Sequence, residues 1–223
     1  MQDHMNEPTR RGTVYGTLFN HRDALDALGG AVDHPPYKGA PKAPVLYIKP
    51  RNAVIDDGEA IVVPEGVDEL EIGATLGLVI GETACRVQEE EALSFVAGYV
   101  IVNDVSIPHS SYYRPSLRFK ARDTFCPIGP FRSRAALESP DRADIEVLID
   151  DRAVHRASTR ELIRPASKLL ADVTEFMTLS PGDILSVGVA AGAPRVRAGQ
   201  QVGVKISGLG VLENYVCREG ATR

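Results

Sequence analysis

Apolar and polar positions alternate through residues 69–81, which read ELEIGATLGLVIG. With a period of two, one side of the predicted strand is an ordinary core face made of five residues: Ile72, Ala74, Leu76, Leu78 and Ile80. The other side begins with Gly73 and Thr75. Since glycine weakens a strand unless something approaches it closely, the sequence predicts a close neighbour or a site opposite Gly73.

Further strands are predicted at 12–20, 45–50 and 98–107, and the last of these brings Asn103 and Asp104 to its end. Two more strand pairs follow later in the chain. DIEVLIDDRAVH is typical of a hairpin with the two adjacent aspartates, Asp150 and Asp151, in its turn, and QVGVKISGLGVLENYV alternates like an antiparallel pair.

Helical spacing is clearest at 165–178, where Pro165 suits the first turn and the aromatic and methionine positions are expected in the core. Shorter helices are predicted at 21–29, closed by glycine, and at 88–97, where glutamates suit the first turn. Strands dominate. We therefore expect one β-rich α+β domain over residues 12–223, preceded by a flexible tail at 1–11.

The chain has 223 residues, 43% of them hydrophobic, and a net charge of −5, with basic residues scattered along the sequence. This distribution argues against a nucleic-acid partner. The longest apolar run, 95–102, is too short to cross a bilayer, and the N-terminus lacks an apolar signal core. A cytoplasmic protein without a membrane partner is expected, with its separated cysteines, Cys85, Cys126 and Cys217, as reduced thiols.

A series of landmarks then follows in order: NDVS at 103–106, KARD at 120–123 with CPIG after it, EFMTLSPGDIL at 175–185 and GVLENYV at 210–216. Together they resemble the fumarylacetoacetate hydrolase family. The segments RGTVYGTLFNHRDAL, PPYKGAPKAPVLYIKPRN and YYRPSLRFKARDTFCPIG are most similar to the N-terminal half of its two-repeat decarboxylase/isomerases of homoprotocatechuate (4-hydroxyphenylacetate) breakdown. The resemblance implies a β-roll or flattened barrel with a few peripheral helices.

The resemblance also implies a cofactor, Mg²⁺ or Mn²⁺, held by three carboxylates so that it can chelate a 2-oxo or enolic acid. In catalytic relatives two ligands form a Glu-x-Glu on a strand with a Val-Ile-Gly-like ending, and the third belongs to an Asn-Asp motif. The shared ending places the glutamate positions at Gly73 and Thr75. Asp104 is then the only retained ligand position, which predicts a degraded centre with weak or absent metal binding.

A second Glu-x-Glu, Glu69 and Glu71, lies four residues upstream of those positions. Four residues span roughly 13 Å of extended chain, whereas metal–oxygen contacts are about 2.0–2.6 Å. Rescue of metal binding by this pair therefore needs a changed register or a bulge. Otherwise the two glutamates are edge or loop charges.

Two other elements of catalytic relatives are altered. Their proton-handling histidine and glutamate correspond to Ala24 and Ala27 here, and the neighbouring His21 is better explained as a surface histidine than as a relocated base. A Gly-Thr-Pro loop that binds substrate corresponds to 188–190, Gly-Val-Ala, which has no hydroxyl group.

The retained positions of the family pocket are Lys49, Asp104, Lys120 and Asp123. They are the substrate-pocket candidates. Lys120 can bind a substrate carboxylate with Asp123 orienting it, or the two can form an inherited structural ion pair, and the sequence leaves both interpretations open.

Three functions follow from this pattern. The chain is either a subunit that depends on a catalytic homologue, an independently active divalent-metal decarboxylase, isomerase or hydrolase of 2-oxo or enol diacids, or a non-catalytic oxo-diacid binding module. Loss of ligands, proton-handling groups and substrate loop favours the first, with a homologous catalytic subunit or a second copy as partner in a homo- or hetero-oligomer.

Overall fold

The computed structural model describes residues 11–109 and 116–220. Strands dominate this part of the chain: β1 (Val14–Leu18), β2 (Val45–Lys49), β3 (Val54–Asp56), β4 (Ala60–Val63), β5 (Leu70–Glu71), β6 (Ala74–Ile80), β7 (Val96–Asn103), β8 (Cys126–Ile128), β9 (Arg132–Ser133), β10 (Asp144–Ile149), β11 (Arg152–Ser158), β12 (Ile184–Ser186), β13 (Arg195–Val196), β14 (Gln201–Ile206) and β15 (Gly210–Arg218).

Helices are short and few in the described ranges. The α-helices are α1 (Arg22–Asp26), α2 (Leu117–Lys120) and α3 (Ala166–Phe176). Single 3₁₀ turns lie at Gly29–Asp33, Arg51–Ala53, Ala92–Phe95, Arg134–Ala136, Pro140–Arg142 and Thr159–Glu161.

The larger sheet has the strand order β2-β1-β12-β6-β7-β8-β3, with β9 paired to β7, and it curls into a half-barrel. Strand β1 runs antiparallel to β2 and parallel to β12, while β6 is antiparallel to both β12 and β7. The second sheet has the order β11-β10-β14-β15-β4, and β13 pairs with β5. This sheet-rich architecture confirms the predicted fold class.

One hydrophobic cluster joins both sheets and α3. Its fully buried members come from the larger sheet, the second sheet and the helix: Leu76, Leu78, Ile101, Val204, Leu169 and Leu170. Burial of each such side chain stabilises the fold by about 1.5–3 kcal/mol relative to exposure. The division into a single domain and a tail stays a prediction, since residues 1–10 lie outside the described ranges.

Most predicted elements are confirmed, including the strands now numbered β1, β2 and β7. The hairpin is β10–β11, and its turn residues Asp150 and Asp151 have φ values of 50° and 64°, the left-handed conformation that a two-residue turn requires. Helix α3 is also confirmed, but Phe176, expected in the core, is 61% exposed because it ends the helix beyond the packed face.

The helix predicted at 88–97 is wrong. A turn precedes the 3₁₀ segment Ala92–Phe95, and β7 begins directly at Val96. The sequence VAGYVIV favours a strand, and the residues before it are too few to form a stable helix.

The strand predicted at 69–81 is divided in two. Strand β5 pairs with β13, and β6 begins at Ala74 in the larger sheet. Between them the amide of Ile72 donates to the carbonyl of Pro194, and the carbonyl of Gly73 accepts from the amide of Asp104. The chain thus changes sheets at Ile72 and Gly73, and Gly73 is the first of the positions where the sequence loses side-chain bulk. Within the described ranges, no helix has the length and apolar character needed to cross a membrane.

Candidate functional site

A cavity of about 480 Å³ opens where β1, β6 and β7 end or begin, beside α2 and the segment 189–193. This volume is within the usual range for small-molecule pockets, roughly 300–1,000 Å³. Residues from six separate parts of the chain line it, and each part contributes one of Thr17, Tyr47, Gly73, Asp104, Lys120 and Arg195.

The floor of the cavity is the carboxylate of Asp104, which is 4% exposed. One oxygen, Oδ1, lies 2.6 Å from Lys49 Nζ, and the other, Oδ2, lies 2.6 Å from Lys120 Nζ. Burial by itself raises the pKa of Asp104, but the two ammonium groups outweigh burial and hold that pKa well below its usual range. Asp104 is therefore a buried anion stabilised by paired cations.

The two lysines use their protons differently. Lys49 Nζ donates to three backbone carbonyls, those of Val105 at 2.7 Å, Lys120 at 2.8 Å and Phe125 at 2.8 Å. An ammonium group has three protons, so these bonds satisfy it, and its contact with Asp104 is an ion pair without a remaining proton to donate. Burial lowers the pKa of Lys49, and Asp104 opposes that change. Lys49 is thus a structural cation beneath the cavity.

Tyr47 brings a hydroxyl group to the same carboxylate. Its hydroxyl donates to Asp104 Oδ2 in a short hydrogen bond, and Lys120 Nζ lies 5.0 Å from the centroid of its ring, within range of a cation–π contact. Gly16 is directly opposite Tyr47 in the β1–β2 pair. A Cβ atom at position 16 would overlap the ring, so the glycine allows the ring to lie against the backbone of β1.

Gly73 lines the cavity, and its backbone is packed against β7. A Cβ atom there would lie 2.6 Å from the carbonyl oxygen of Asp104 and 3.2 Å from a methyl group of Val189. The close approach of the Asp104 backbone therefore explains why position 73 has no side chain. Thr75 is fully buried behind the lining, where its hydroxyl accepts a 3.2 Å hydrogen bond from Ser186.

The upstream glutamates lie in an arginine cluster at the cavity edge. Arg195 contacts Glu69 at 2.6 Å and Glu71 at 3.8 Å, and Arg197 contacts Glu69 at 3.5 Å. The hydrogen bond from Arg195 holds the pKa of Glu69 below its usual value. Glu71 also lines the cavity, and the guanidinium of Arg195 lies 3.8 Å from its carboxylate.

The positions that the resemblance matches to catalytic and substrate-loop residues of relatives lie at the cavity. Ala24, Ala27, Val189 and Ala190 all line it with apolar surface. The interpretation of His21 as a surface residue is wrong, because it is 4% exposed. Its Nδ1 lies 2.6 Å from the carboxylate of Asp23, which also accepts from the amide of Ala191, and its Nε2 lies 3.2 Å from a backbone carbonyl.

The four pocket candidates are only partly brought together. Asp104 and Lys120 line the cavity, whereas Lys49 lies beneath it. Asp123 accepts a hydrogen bond from Asn52 at 2.6 Å and is not among the described lining residues. Lys120 pairs with Asp104 and Asp123 with Asn52, so the Lys120–Asp123 ion pair, one of the two interpretations left open by the sequence, is not formed.

Sequence reasoning missed Tyr47, although a signal for it exists. In the strand VLYIKP, Tyr47 and Lys49 are two residues apart and so share a face. Because Lys49 was already a candidate, the alternation indicated Tyr47 as its neighbour. Arg195 had no comparable signal, since its place at the cavity depends on the pairing of β13 with β5.

The donor set does not suit Mg²⁺ or Mn²⁺. Hard cations of this kind take several oxygen ligands, mainly from carboxylates and water. Across residues 11–109 and 116–220, no group of three His, Cys, Asp or Glu side chains is arranged to hold a metal. Of the described carboxylates that line the cavity, Asp104 already contacts two ammonium groups and Glu71 contacts an arginine.

Solved structures share this architecture. The 5-carboxymethyl-2-hydroxymuconate delta-isomerase from Mycobacterium smegmatis is 29% identical, with a TM-score of 0.81 over 95% of this chain and 80% of that one. The fold of fumarylpyruvate hydrolase from Pseudomonas aeruginosa, solved in complex with Mn²⁺ and pyruvate, is also similar, with a TM-score of 0.82 at 24% identity over 94% of this chain and 91% of that one. These likenesses support the fold described above, with its curled half-barrel sheet.

The sequence comparison identifies the family. The model for the fumarylacetoacetate (FAA) hydrolase C-terminal domain matches residues 13–217, and the chain therefore belongs to the fumarylacetoacetate hydrolase family. The 4-hydroxyphenylacetate degradation bifunctional isomerase/decarboxylase of Escherichia coli is 42% identical over 96% of this chain and 49% of its own length. The chain thus spans about half the length of that curated relative.

Proposed function

We propose that this chain is a subunit of a decarboxylase/isomerase of homoprotocatechuate (4-hydroxyphenylacetate) catabolism, with a degraded metal site and a requirement for a catalytic homologue. The similarity to a bifunctional isomerase/decarboxylase supports the pathway. The requirement for a homologue is inferred from the positions where this chain differs from catalytic relatives: Gly73, Thr75, Ala24, Ala27 and the loop at 188–190.

The observation that carries the proposal is that the carboxylate of Asp104 already pairs with the ammonium groups of Lys49 and Lys120. A divalent cation at this carboxylate would have to displace or approach two ammonium groups, each 2.6 Å from a carboxylate oxygen. The two other ligand positions implied by the family resemblance offer a glycine and a hydroxyl group, Gly73 and Thr75. Like-charge repulsion and the loss of two anionic ligands both weaken metal binding.

The partner in this proposal is a homologous catalytic chain or a second copy of this one. A stable assembly of either kind should bury about 1,200–2,000 Å² in total. Light scattering of the chain alone and mixed with the homologue measures this association. A strict monomer in both samples contradicts the proposal.

The direct test combines metal binding with activity. Calorimetric titration of the isolated chain with Mg²⁺ and with Mn²⁺ should show weak or undetectable binding, and decarboxylase and isomerase assays should show little turnover. Adding the catalytic homologue should restore turnover. Tight metal binding by the unmodified chain, abolished by Asp104→Ala, contradicts the proposal.

One observation favours a second function, an independently active divalent-metal decarboxylase, isomerase or hydrolase. Glu71 lines the same cavity as Asp104, so a changed contact with Arg195 would bring a second carboxylate to the site. In that case the pure chain turns over substrate with added Mg²⁺ or Mn²⁺. Glu71→Gln then lowers metal affinity, whereas Glu69→Gln, at the neighbouring position outside the described lining, has a smaller effect.

A further inference from the structure

The ammonium group of Lys120 can donate further hydrogen bonds into the cavity. Its side chain lines the cavity and is 9% exposed, and within the described ranges its Nζ makes one hydrogen bond, to Asp104 Oδ2. Since an ammonium group carries three protons, two remain for a ligand. Lys49 offers a contrast, because backbone carbonyls accept all three of its protons.

From this arrangement we propose that the cavity binds the carboxylate of a small 2-oxo acid without a divalent cation, through the ammonium group of Lys120 and the hydroxyl group of Tyr47. The inference deepens the proposed function, on which it rests for the ligand class. In this proposal the two lysine side chains supply the positive charge that the family resemblance assigns to a bound metal in catalytic relatives.

The charges around the floor favour an anion. Lys49 and Lys120 contribute two positive charges against the single negative charge of Asp104. At the cavity edge, Glu69 and Glu71 are matched by Arg195 and Arg197, so that cluster adds no net charge. The group formed by Asp104, Lys49 and Lys120 therefore has one excess positive charge. These side chains are mostly buried, where electrostatic attraction is stronger than in water.

Tyr47 provides the second, directional contact. Its hydroxyl donates to Asp104 Oδ2, the same oxygen that accepts from Lys120. When a ligand carboxylate enters beside Lys120, the hydroxyl proton can turn toward it, because both ammonium groups still neutralise Asp104. Gly16 is a positioning residue in this arrangement, since it leaves the space that the ring of Tyr47 occupies.

The test is an NMR titration of the isotope-labelled full chain with pyruvate in the presence of EDTA. Saturable shifts of cavity residues are expected at millimolar pyruvate. Pyruvamide, which replaces the carboxylate by a neutral amide, should bind at least about tenfold more weakly, as expected when a charged hydrogen-bond partner is lost. Binding of pyruvate only after addition of Mg²⁺ or Mn²⁺, or no binding at all, overturns the inference.

Two variants assign the contacts. Lys120→Met should weaken pyruvate binding about tenfold or more, and Tyr47→Phe, which keeps the ring and the fold, about threefold to tenfold. Lys168→Met removes a lysine charge from the surface pair with Asp172 and serves as the control, with unchanged affinity expected. If both cavity variants bind pyruvate as the wild type does, the proposed site is wrong.

The result of the pyruvate-binding test can be distinguished from the result of the test of the proposed function. Turnover and tight metal binding by the chain alone contradict the dependent-subunit proposal but leave pyruvate binding in EDTA as a valid result. Conversely, a chain that binds neither metal nor pyruvate alone, yet supports turnover by its homologue, retains the proposed function and refutes the anion site.

Discussion

Gly16 and Tyr47 face each other across the antiparallel pair β1–β2, and the tyrosine ring occupies the space where any other residue at position 16 would place its Cβ. The ring lies between the backbone of β1 and the ammonium group of Lys120, with its hydroxyl on Asp104. A missing side chain on one strand therefore determines where a polar group on the next strand enters the cavity.

Gly16→Ala should destabilise the protein by about 1–3 kcal/mol, because overpacking forces the ring of Tyr47 to move. Denaturant unfolding measures the change. In a Tyr47→Ala background the same substitution should cost much less, since the space is then empty, and a double-mutant cycle reports the coupling. Equal costs in both backgrounds would mean that the ring does not contact position 16.

Asp104→Asn should destabilise the fold by about 3–5 kcal/mol, because it leaves two buried ammonium groups without their anion. Asp172→Asn, which removes a carboxylate from a partly exposed ion-pair group, is the control and should cost about 1 kcal/mol or less. A cost for Asp104→Asn no larger than that of the control would show that Asp104 is not the centre of the buried charge cluster.

The stabilisation from Asp104 should also depend on pH. Its pKa is lower in the folded protein than in the unfolded chain, so the contribution is fully present above the unfolded value of about 4 and is lost as pH falls toward the folded value. The difference in unfolding free energy between wild type and Asp104→Asn should therefore be constant from pH 7 to about pH 5 and shrink below about pH 4. A difference that grows on acidification contradicts this sign.

The sequence predicted the strands well because their alternation is local. The hairpin turn at Asp150 and Asp151 was likewise set by residues that adopt the left-handed conformation. The cavity positions Ala24, Ala27 and Asp104 came from the family resemblance, which carries information about tertiary position that periodicity does not.

The remaining features depend on contacts between distant segments. Asp123 pairs with Asn52, some seventy residues away in sequence, and His21 is buried by the segment containing Ser158. Gly73 illustrates the limit most clearly, since its missing side chain indicated a close neighbour but not that the neighbour is the backbone of Asp104. Such pairings follow from sheet order, which the local pattern does not encode.

Cys126 should resist thiol reagents in the folded protein. It is fully buried, and burial raises the pKa of its thiol to about 12, so the reactive thiolate is scarce at pH 8. The exposed Cys85 should be labelled by a maleimide first, as measured by mass spectrometry of the digested protein. Denaturant should make both reactive, and labelling of Cys126 as fast as Cys85 under native conditions would contradict its burial.

Gly73→Ala should destabilise the fold by about 1–3 kcal/mol, because the added Cβ meets the backbone carbonyl of Asp104 and cannot be accommodated by a side-chain rotation. The amide of Asp104 donates to the carbonyl of Gly73 at 2.8 Å, so separating the two segments also strains that hydrogen bond. Gly30→Ala is a matched control, since a Cβ there meets nothing within 4 Å. Chemical unfolding of both variants measures the difference. A Gly73→Ala protein as stable as Gly30→Ala would show that this junction tolerates a side chain, which would remove the steric objection to placing a carboxylate at position 73.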